Sequence, residues 1–279
     1  MKPEFVPGRP PAVLSGLVRR YLGYREYSAT PLRRRQAPVG SCALIIGFGP
    51  TMRLDGPGGT VTTGAFLAGM HDAAVLTTFA GEQHGLQADL TPLGAYRLLR
   101  RPMSGLTNLV PALDELDDPV LGALPARLAD LPDWPARFAL LSDVLAARML
   151  DDGTRAPDPE VVFAWDRLSR TAGATGVAEL AAETGWSRRH LLTRFRGQIG
   201  LPPKTAGRVL RFQRASGLVT AGVTSLADVA ATCGYADQPH LVREFRALAG
   251  VTPTAFRAEW GGTTPGSSHS SNPGASPGS

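Results

Sequence analysis

Two stretches of the chain repeat one pattern: 177–195 reads VAELAAETGWSRRHLLTRF, and 226–245 reads LADVAATCGYADQPHLVREF. The offset between the copies is 49 residues at Gly185 and Gly234, and it becomes 50 from His190 onwards. One residue is therefore inserted in the second copy. The register then holds at three further pairs: Phe195/Phe245, Gly200/Gly250 and Pro203/Pro253. An internal repeat of this kind decides the architecture before any local assignment is made.

Each copy has the pattern of a helix-turn-helix. The first helix carries apolar residues at helical spacing. It ends at a glycine, Gly185 or Gly234, which can adopt the left-handed conformation that closes a helix. A polar N-cap then starts the second helix, Ser187 in one copy and Asp237 in the other. That helix buries two apolar residues four positions apart on one face: Leu191 and Phe195, or Leu241 and Phe245.

The opposite face of each second helix is basic and polar. In the first copy it carries Arg189, Leu192, Thr193 and Arg196. In the second it carries Pro239, Val242, Arg243 and Arg246, with Gln238 and His240 at its leading edge. Arginine can bind guanine through two hydrogen bonds, glutamine can bind adenine, and threonine or valine can contact the thymine methyl. These faces therefore indicate DNA reading. The alternative is a small helical bundle with solvated arginines, which two basic copies in register disfavour.

Residues 176–258 resemble the DNA-binding domain of the AraC/XylS family of bacterial transcription regulators. In the first unit the matching residues are Leu180, Ala181, Gly185, Ser187, Leu191, Phe195, Gly200 and Pro203. In the second unit they are Val229, Ala230, Gly234, Tyr235, His240, Leu241, Arg243, Phe245, Gly250, Val251, Pro253, Phe256 and Arg257. The resemblance implies two recognition helices, joined by a long helix, in successive major grooves of double-stranded DNA. By position it implies groove-facing roles for Arg188, Arg189, Leu192 and Thr193, and for Gln238, Pro239, His240 and Arg243.

A connecting helix is predicted between the units, over roughly 203–220. At about 1.5 Å per residue it is about 26 Å long. It can therefore hold two recognition helices near the ~34 Å repeat of successive major grooves. Lys204, Arg208 and Arg211 lie three or four residues apart on one side. We predict that these three contact phosphates, and an ordinary solvated face is the alternative.

Positive charge is concentrated in this region. Residues 176–260 hold 11 of the 29 Lys and Arg residues and 6 of the 24 Asp and Glu residues, and the remainder holds 18 of each. The whole net charge of +5 therefore lies on the predicted DNA-binding domain. Attraction to DNA phosphates requires such a distribution.

The rest of the composition favours a cytoplasmic protein. The two cysteines, Cys42 and Cys233, lie in different predicted domains, which argues against a disulfide framework and for a reducing compartment. The first 11 residues contain four prolines and lack the apolar core of a signal peptide. No apolar run approaches the ~20 residues needed to span a bilayer, so no membrane partner is expected.

Residues 1–105 are predicted to form a β-rich domain that senses a ligand or dimerises. A helix is expected at 12–22, and the basic run 33–35 is interpreted as a surface rim. Short strands are predicted at 42–48, 61–67, 73–79 and 85–90, with turns at 55–59, 70–72 and 81–82. Strands at this spacing suggest a sandwich or barrel. The segment 90–99 resembles one in the cupin-like sensing domains of some AraC-type regulators, which implies a barrel that encloses a small-molecule effector or mediates a dimer contact.

Residues 106–158 are predicted to form a helical connector. Helices are expected at 106–116, 120–131 and 136–150, and a further helix at 159–171 begins the DNA-binding domain, which extends to residue 260. The connector helices either form a homodimer interface or only cover the β core. If the protein is an activator, RNA polymerase is a further expected partner, and the sequence leaves activation and repression open. Residues 261–279 contain no Lys, Arg, Asp or Glu and are predicted to be disordered.

The predicted fold class is therefore α+β, with a β-rich cupin-like domain, a helical connector and an all-α double helix-turn-helix domain. The chain has no Gly-rich phosphate loop and no nucleophile elbow, so we predict no catalytic residue and no cofactor. Four residues form the one candidate metal cluster: His71, Asp72, Glu82 and His84. A zinc site needs at least three converging protein ligands, and we interpret these four as surface turn residues.

Two other functions stay open at this point. The first is a metal-dependent or ligand-binding cupin-like enzyme that carries a DNA-binding module. The second is an interaction protein whose helix pairs bind protein instead of DNA. Both leave the predicted architecture unchanged.

Overall fold

The computed structural model describes residues 3–151 and 156–260, and the predicted tail at 261–279 lies outside them. The N-terminal part is one antiparallel sheet in the order β1-β2-β7-β3-β6, in which β4 pairs with both β5 and β7. Its strands are β1 (Glu4–Gly8), β2 (Val18–Gln36), β3 (Cys42–Gly47), β4 (Met52–Gly56), β5 (Gly59–Thr63), β6 (Ala65–Ala68) and β7 (Val75–Leu90).

The sheet has two buried faces because successive side chains of a strand point in opposite directions. One face packs against the helices and is lined by Tyr21, Cys42, Leu44, Ile46, Leu86, Ala88 and Leu90. The intervening positions form a second cluster: Tyr24, Ala43, Ile45, Leu54, Phe66, Val75 and Val110. This second face borders a cavity with about 960 Å³ of empty space.

The helix expected at 12–22 is wrong. Ala12–Leu14 forms a single 3₁₀ turn, and β2 begins at Val18, which pairs with Leu90 of β7. The long antiparallel pairing between β2 and β7 satisfies the backbone of this segment. Tertiary context of this kind overrides a local helical pattern.

The strands predicted at 73–79 and 85–90 are one continuous strand, β7. Gly81 takes a φ of +80°, opposite a register irregularity between Ser28 and Leu32 of β2. The expected turn at 81–82 is therefore a bulge that bends the strand pair without reversing it. The strand predicted at 61–67 is divided between β5 and β6.

The connector is less helical than predicted. The expected helix at 106–116 consists of two 3₁₀ turns, Met103–Leu106 and Leu113–Leu116. The backbone between them pairs with β6, since the carbonyl of Pro111 accepts from Leu67 at 3.1 Å. The helix expected at 120–131 is divided into α2 (Pro119–Gly122) and α3 (Leu124–Ala129).

The helices expected at 136–150 and 159–171 are confirmed as α4 (Trp134–Met149) and α5 (Pro159–Arg170). The structure adds α1 (Pro92–Leu99), which was not predicted as a helix. The C-terminal part comprises α6 (Val177–Thr184), α7 (Arg188–Ile199), α8 (Pro203–Ala221), α9 (Leu226–Thr232), α10 (Gln238–Ala249) and α11 (Pro253–Trp260). None of the helices within 3–151 and 156–260 is both long and apolar enough to cross a membrane.

α4 packs closely on the sheet through aromatic rings. Phe138 stacks on Tyr21 at 5.9 Å between ring centroids, and Trp134 contacts His84 edge-on at 5.5 Å. The indole of Trp134 lies so close to β2 that a Cβ on Gly23 would come within 2.4 Å of it. A glycine is therefore required where α4 crosses β2.

We predict that Gly23→Ala lowers the free energy of unfolding by about 1–3 kcal/mol, because the added methyl overpacks the contact with Trp134. Gly217→Ala in α8 is the matched control, since a Cβ there meets no atom within 4 Å. It should raise stability by about 0.5–1 kcal/mol, because alanine loses less backbone entropy in a helix. Denaturant unfolding of the two variants measures both effects. Equal stability of Gly23→Ala and the parent chain would contradict the close packing.

Candidate nucleic-acid interface

The first helix of each helix-turn-helix unit ends in the same way. In the first unit the backbone N–H of Trp186 donates to the carbonyl of Ala181 at 3.2 Å. In the second, the N–H of Tyr235 donates to Ala230 at 2.9 Å. Both turn glycines are left-handed, with φ of +70° at Gly185 and +72° at Gly234. Hydrogen bonds that run back from beyond the glycine close the first helix of each unit in the same way.

The start of each second helix is also repeated. The Ser187 hydroxyl accepts from the N–H of His190 at 3.2 Å, and the Asp237 carboxylate accepts from the N–H of His240 at 2.6 Å. Both predicted N-caps are thus confirmed. Both histidines lie edge-on to the aromatic ring of their turn, with centroids 4.5 Å apart in the first unit and 5.3 Å in the second.

The inserted residue of the second copy is Ala236. Its backbone N–H donates to Nδ1 of His240 at 3.3 Å. This hydrogen bond and the contact with Tyr235 hold His240 within the turn. Nδ1 of His240 therefore accepts a hydrogen bond from the turn. Nε2 remains available to hydrogen-bond to a DNA base.

α8 joins the two units through a shared aromatic core. Phe212 of α8 contacts Phe245 of α10 at 4.9 Å and Phe256 of α11 at 6.1 Å between ring centroids. Val209 and Val219 of α8 are buried as well. This packing fixes the direction of α10 relative to α8.

Most of the predicted DNA-contacting side chains form one exposed set. On the first unit these are Arg188, Arg189, Leu192, Thr193 and Arg196, and on the second they are Gln238, Pro239, Arg243 and Arg246. Lys204 at the start of α8 is exposed too. Asp237 lies 3.9 Å from Arg243, and both side chains are more than half exposed, so this weak pair leaves Arg243 available to a ligand.

Two predicted phosphate contacts are engaged inside the protein. Arg208 pairs with Glu244 of α10 at 2.7 Å, and this hydrogen bond raises the pKa of Arg208. Arg211 donates to the carbonyl of Gly173 at 3.1 Å and lies over the ring of Tyr235, 5.9 Å from its centroid. Both arginines therefore connect α8 with neighbouring elements of the same domain.

The N-terminal domain and the first residues of the connector hold the carboxyl ends of both second helices, and no sequence pattern predicted these contacts. The hydroxyl of Thr107 donates to the carbonyl of Gly200, just after α7, at 2.6 Å. The guanidinium of Arg35 donates to the carbonyl of Ala249, the last residue of α10, at 3.0 Å. The last carbonyls of a helix lack intrahelical donors, so these contacts satisfy groups that would otherwise need water.

The arginine run 33–35 is thus not a uniform surface rim. Arg33 is exposed, but Arg34 pairs with Glu26 at 2.6 Å and Arg35 pairs with Glu259 of α11 at 3.1 Å. Glu259 lies 224 residues from Arg35, so that pair leaves no local signal in the sequence. In the sequence, the run of three arginines was the only feature that distinguished residues 33–35.

A third inter-domain contact reaches α8. The backbone N–H of Gly40 donates to Oε1 of Gln213 at 2.8 Å, and a Cβ on Gly40 would lie 2.5 Å from Leu210. The N-terminal domain therefore touches α7, α8 and α10, the three helices that determine where the two units lie.

A further bridge fixes α5 to α7. Arg194 forms two hydrogen bonds with the carboxylate of Asp158, at 2.5 and 2.6 Å, and these raise the pKa of Arg194. Gln198 donates to the same carboxylate at 2.7 Å. This network was also missed, because Asp158 was assigned to the end of the predicted connector and its partner Arg194 lies 36 residues further along the chain.

The four candidate metal ligands do not converge. His71 is buried beside the cavity, Asp72 accepts from Asn108 at 2.8 Å, and Glu82 pairs with Arg25 at 2.6 Å. His84 lies between aromatic rings, and burial lowers its pKa. The interpretation as surface turn residues is therefore wrong for His71, which is buried, and for Glu82 and His84, which belong to β7. In the parts of the chain that the structure covers, no three His, Cys, Asp or Glu residues are grouped to hold a metal ion.

Comparison with known proteins identifies the C-terminal region. The family model described as a helix-turn-helix domain matches residues 180–259. Residues 180–259 are an AraC-type helix-turn-helix domain. The F1 operon positive regulatory protein of Yersinia pestis is 33% identical over 78 residues, which cover 28% of this chain and 26% of that protein. The HTH-type transcriptional regulator MtrA of Neisseria gonorrhoeae is 28% identical over 85 residues, 30% of this chain and 28% of its own length.

The AraC-type domain is thus the part shared with these relatives, and the match spans about a quarter of each. A solved structure resembles the chain over a longer range. Wild-type ToxT from Vibrio cholerae with bound unsaturated fatty acid superposes with a TM-score of 0.51 at 10% identity, over 92% of this chain and 99% of ToxT. This likeness shows a common fold, a β-rich N-terminal domain followed by a helical C-terminal region.

We predict that Arg208 and Glu244 stabilise the AraC-type domain as a pair. In a double-mutant cycle, Arg208→Ala and Glu244→Ala should show a coupling energy of about 0.5–1 kcal/mol, a value limited by solvent screening of the half-exposed arginine. Denaturant unfolding of the two single variants and the double variant gives the coupling. Strictly additive losses would show that the pair contributes nothing to the junction of α8 and α10.

Proposed function

We propose that the protein is a sequence-specific transcription regulator that binds double-stranded DNA through two successive major grooves. One observation carries the proposal: two units that close their first helix and cap their second in the same way present exposed basic helix faces and are joined by a 19-residue helix. At about 1.5 Å per residue, α8 is about 28 Å long, close to the ~34 Å repeat of the major groove. Both relatives of the AraC-type domain are named as regulators, and neither is named as an enzyme.

In this proposal the exposed residues near the start of each second helix read bases, and other cations position the domain on phosphates. The base-reading set is Arg188, Arg189, Leu192, Thr193, Gln238, Pro239, His240 and Arg243. The phosphate-contacting set is Arg196, Lys204 and Arg246. Arg208 and Arg211 take a positioning role, since their partners lie within the domain.

We further infer that the N-terminal β domain binds a small-molecule effector in its cavity. ToxT, which shares the fold, has been crystallised with a bound unsaturated fatty acid. In the present chain Arg35 and Gly40 each adjoin residues that line the cavity, and each contacts the AraC-type domain. Met70 also adjoins the cavity lining, and it lies beside Gly200 at the end of α7. A ligand that displaces these segments would therefore move α7, α8 and α10 relative to one another.

The proposal is tested by selecting bound sequences from a random duplex library with the full-length protein. We expect an enriched site that contains two short motifs about one helical turn apart. Arg243→Ala should then lose about 1–3 kcal/mol of discrimination at a single base position, because one bidentate contact to a base carries about that much.

Lys204→Ala is the matched control for a phosphate contact. It should weaken binding about equally for all sequences and reduce the slope of log affinity against log salt by about 1. Fluorescence anisotropy over a salt series measures both variants. Equal losses across all sequences for Arg243→Ala would remove its base-reading role, and the absence of any enriched motif would contradict the proposed function.

A further inference from the structure

The cavity of the β domain has a largely apolar wall and is partly open to solvent. Its empty space of about 960 Å³ includes this open part. It lies on the sheet face opposite to α4. Its apolar lining includes Leu22, Ile45, Met52, Leu54, Phe66 and Phe79.

Two charged side chains line this cavity among the residues described, and they neutralise each other. The guanidinium of Arg34 donates two hydrogen bonds to the carboxylate of Glu26, at 2.7 and 2.6 Å. The pair is largely shielded from solvent, with 12% of the Glu26 side chain and 25% of the Arg34 side chain exposed. The other face of Arg34 lies over the ring of Phe79, 5.5 Å from its centroid. Arg34 is therefore held on two sides by groups of the protein.

Because Arg34 is already paired with Glu26, the cavity favours a neutral ligand over a carboxylate. A carboxylate ligand would have to displace Glu26 from Arg34, and Glu26 would then remain as an uncompensated carboxylate beside an apolar wall. Removing one partner of a shielded ion pair is costly for this reason. A neutral ligand leaves the pair intact and gains from the burial of its apolar surface.

A neutral ligand would also find hydrogen-bonding groups in the wall. Tyr24 lines the cavity, and its buried hydroxyl has no hydrogen-bond partner within the described chain. Burial raises the pKa of this phenol, and the hydroxyl itself lies beneath the cavity surface, beside Gly85. Thr77 and Ser41 are the residues with hydroxyl side chains in the lining.

We propose that the cavity selects neutral, mostly apolar ligands with one hydrogen-bonding end, and that Glu26 excludes carboxylates by occupying Arg34. The proposal rests on the proposed role of the β domain as an effector-binding domain. It distinguishes this chain from its structural neighbour ToxT, whose crystallised ligand is a fatty acid.

The test uses the full-length protein and the neutral dye N-phenyl-1-naphthylamine, whose fluorescence rises in apolar sites. The bound dye is displaced by 1-decanol or by decanoate at pH 7.5, two probes that differ mainly in the charge of one end. We expect decanol to displace the dye at a concentration at least about ten times lower than decanoate. Equal or better displacement by decanoate, or no saturable binding of the dye, would overturn the proposal.

Two pairs of variants test whether the Glu26–Arg34 pair and the cavity cause the difference between decanol and decanoate. Glu26→Gln frees Arg34 and should shift the ratio of the two displacement concentrations at least about tenfold towards decanoate. Glu82→Gln is its control, because its partner Arg25 is half exposed outside the cavity, and the ratio should stay unchanged. An unchanged ratio in Glu26→Gln would overturn the role of the pair. If Glu26→Gln fails to fold, the comparison of the two probes in the parent chain still decides the ligand class.

The second pair tests whether the dye occupies the cavity. Ala68 of β6 lines the cavity, whereas Ala65 of the same strand packs against the opposite core. Ala68→Phe should weaken dye binding at least about tenfold by filling the space, and Ala65→Phe should not. If Ala68→Phe retains its affinity for the dye, the dye binds outside the cavity. None of these measurements requires DNA, so their failure is distinguishable from a failure of the sequence selection.

Discussion

The carboxyl ends of α7 and α10, the second helices of the two units, are held by the N-terminal domain and the start of the connector, and the relation between the two units depends on this constraint. Thr107 caps the end of α7 and Arg35 caps the end of α10, while Gly40 binds Gln213 near the middle of α8. Within the domain, the aromatic contacts of Phe212 hold α10 and α11 against α8. Each unit alone has an ordinary helix-turn-helix geometry. Their separation and relative direction come from the contacts between elements far apart in the chain.

Through the same contacts, a movement of the β domain can be transmitted to the DNA-binding domain. The segments that border the cavity on one side are the segments that touch the helical domain on the other. Arg34 and Arg35 show this most directly, because successive residues of a strand point to opposite faces. Arg34 forms part of the cavity wall with Glu26, and Arg35 binds the end of α10. We therefore propose that a ligand in the cavity changes the relative positions of α7, α8 and α10 by moving strand segments, without contacting α7 or α10 itself.

The sequence was sufficient for the C-terminal architecture because its determinants are local. A glycine that closes one helix and a polar cap that starts the next lie within three residues of each other, and the structure reproduces both in each unit. The contacts of Arg208 with Glu244 and of Arg211 with Gly173 were not predictable in this way. These contacts join residues 36 and 38 positions apart. A basic helix face that is exposed has the same residue spacing in sequence as a basic face whose arginines pair within the protein.

The N-terminal domain was harder to predict for the same reason. Segment 12–22 has apolar residues at helical spacing, but the pairing of β2 with β7 joins positions up to 72 residues apart, Val18 with Leu90. The Glu26–Arg34 pair that shapes the cavity exists because β2 bends between Ser28 and Leu32. Residue types alone indicated a β-rich domain. The cavity and its charge balance follow from strand register, which local sequence patterns do not determine.

If the two units bind DNA as one rigid body, affinity must depend on the spacing of the two motifs in the duplex. Starting from the selected site, the two motifs would be moved apart by about half a helical turn, and in a second duplex by about one full turn, which restores the phase but not the distance. We expect both insertions to reduce affinity at least about a hundredfold, to that of a duplex with a single motif. Unchanged affinity for either insertion would show that the two units move independently.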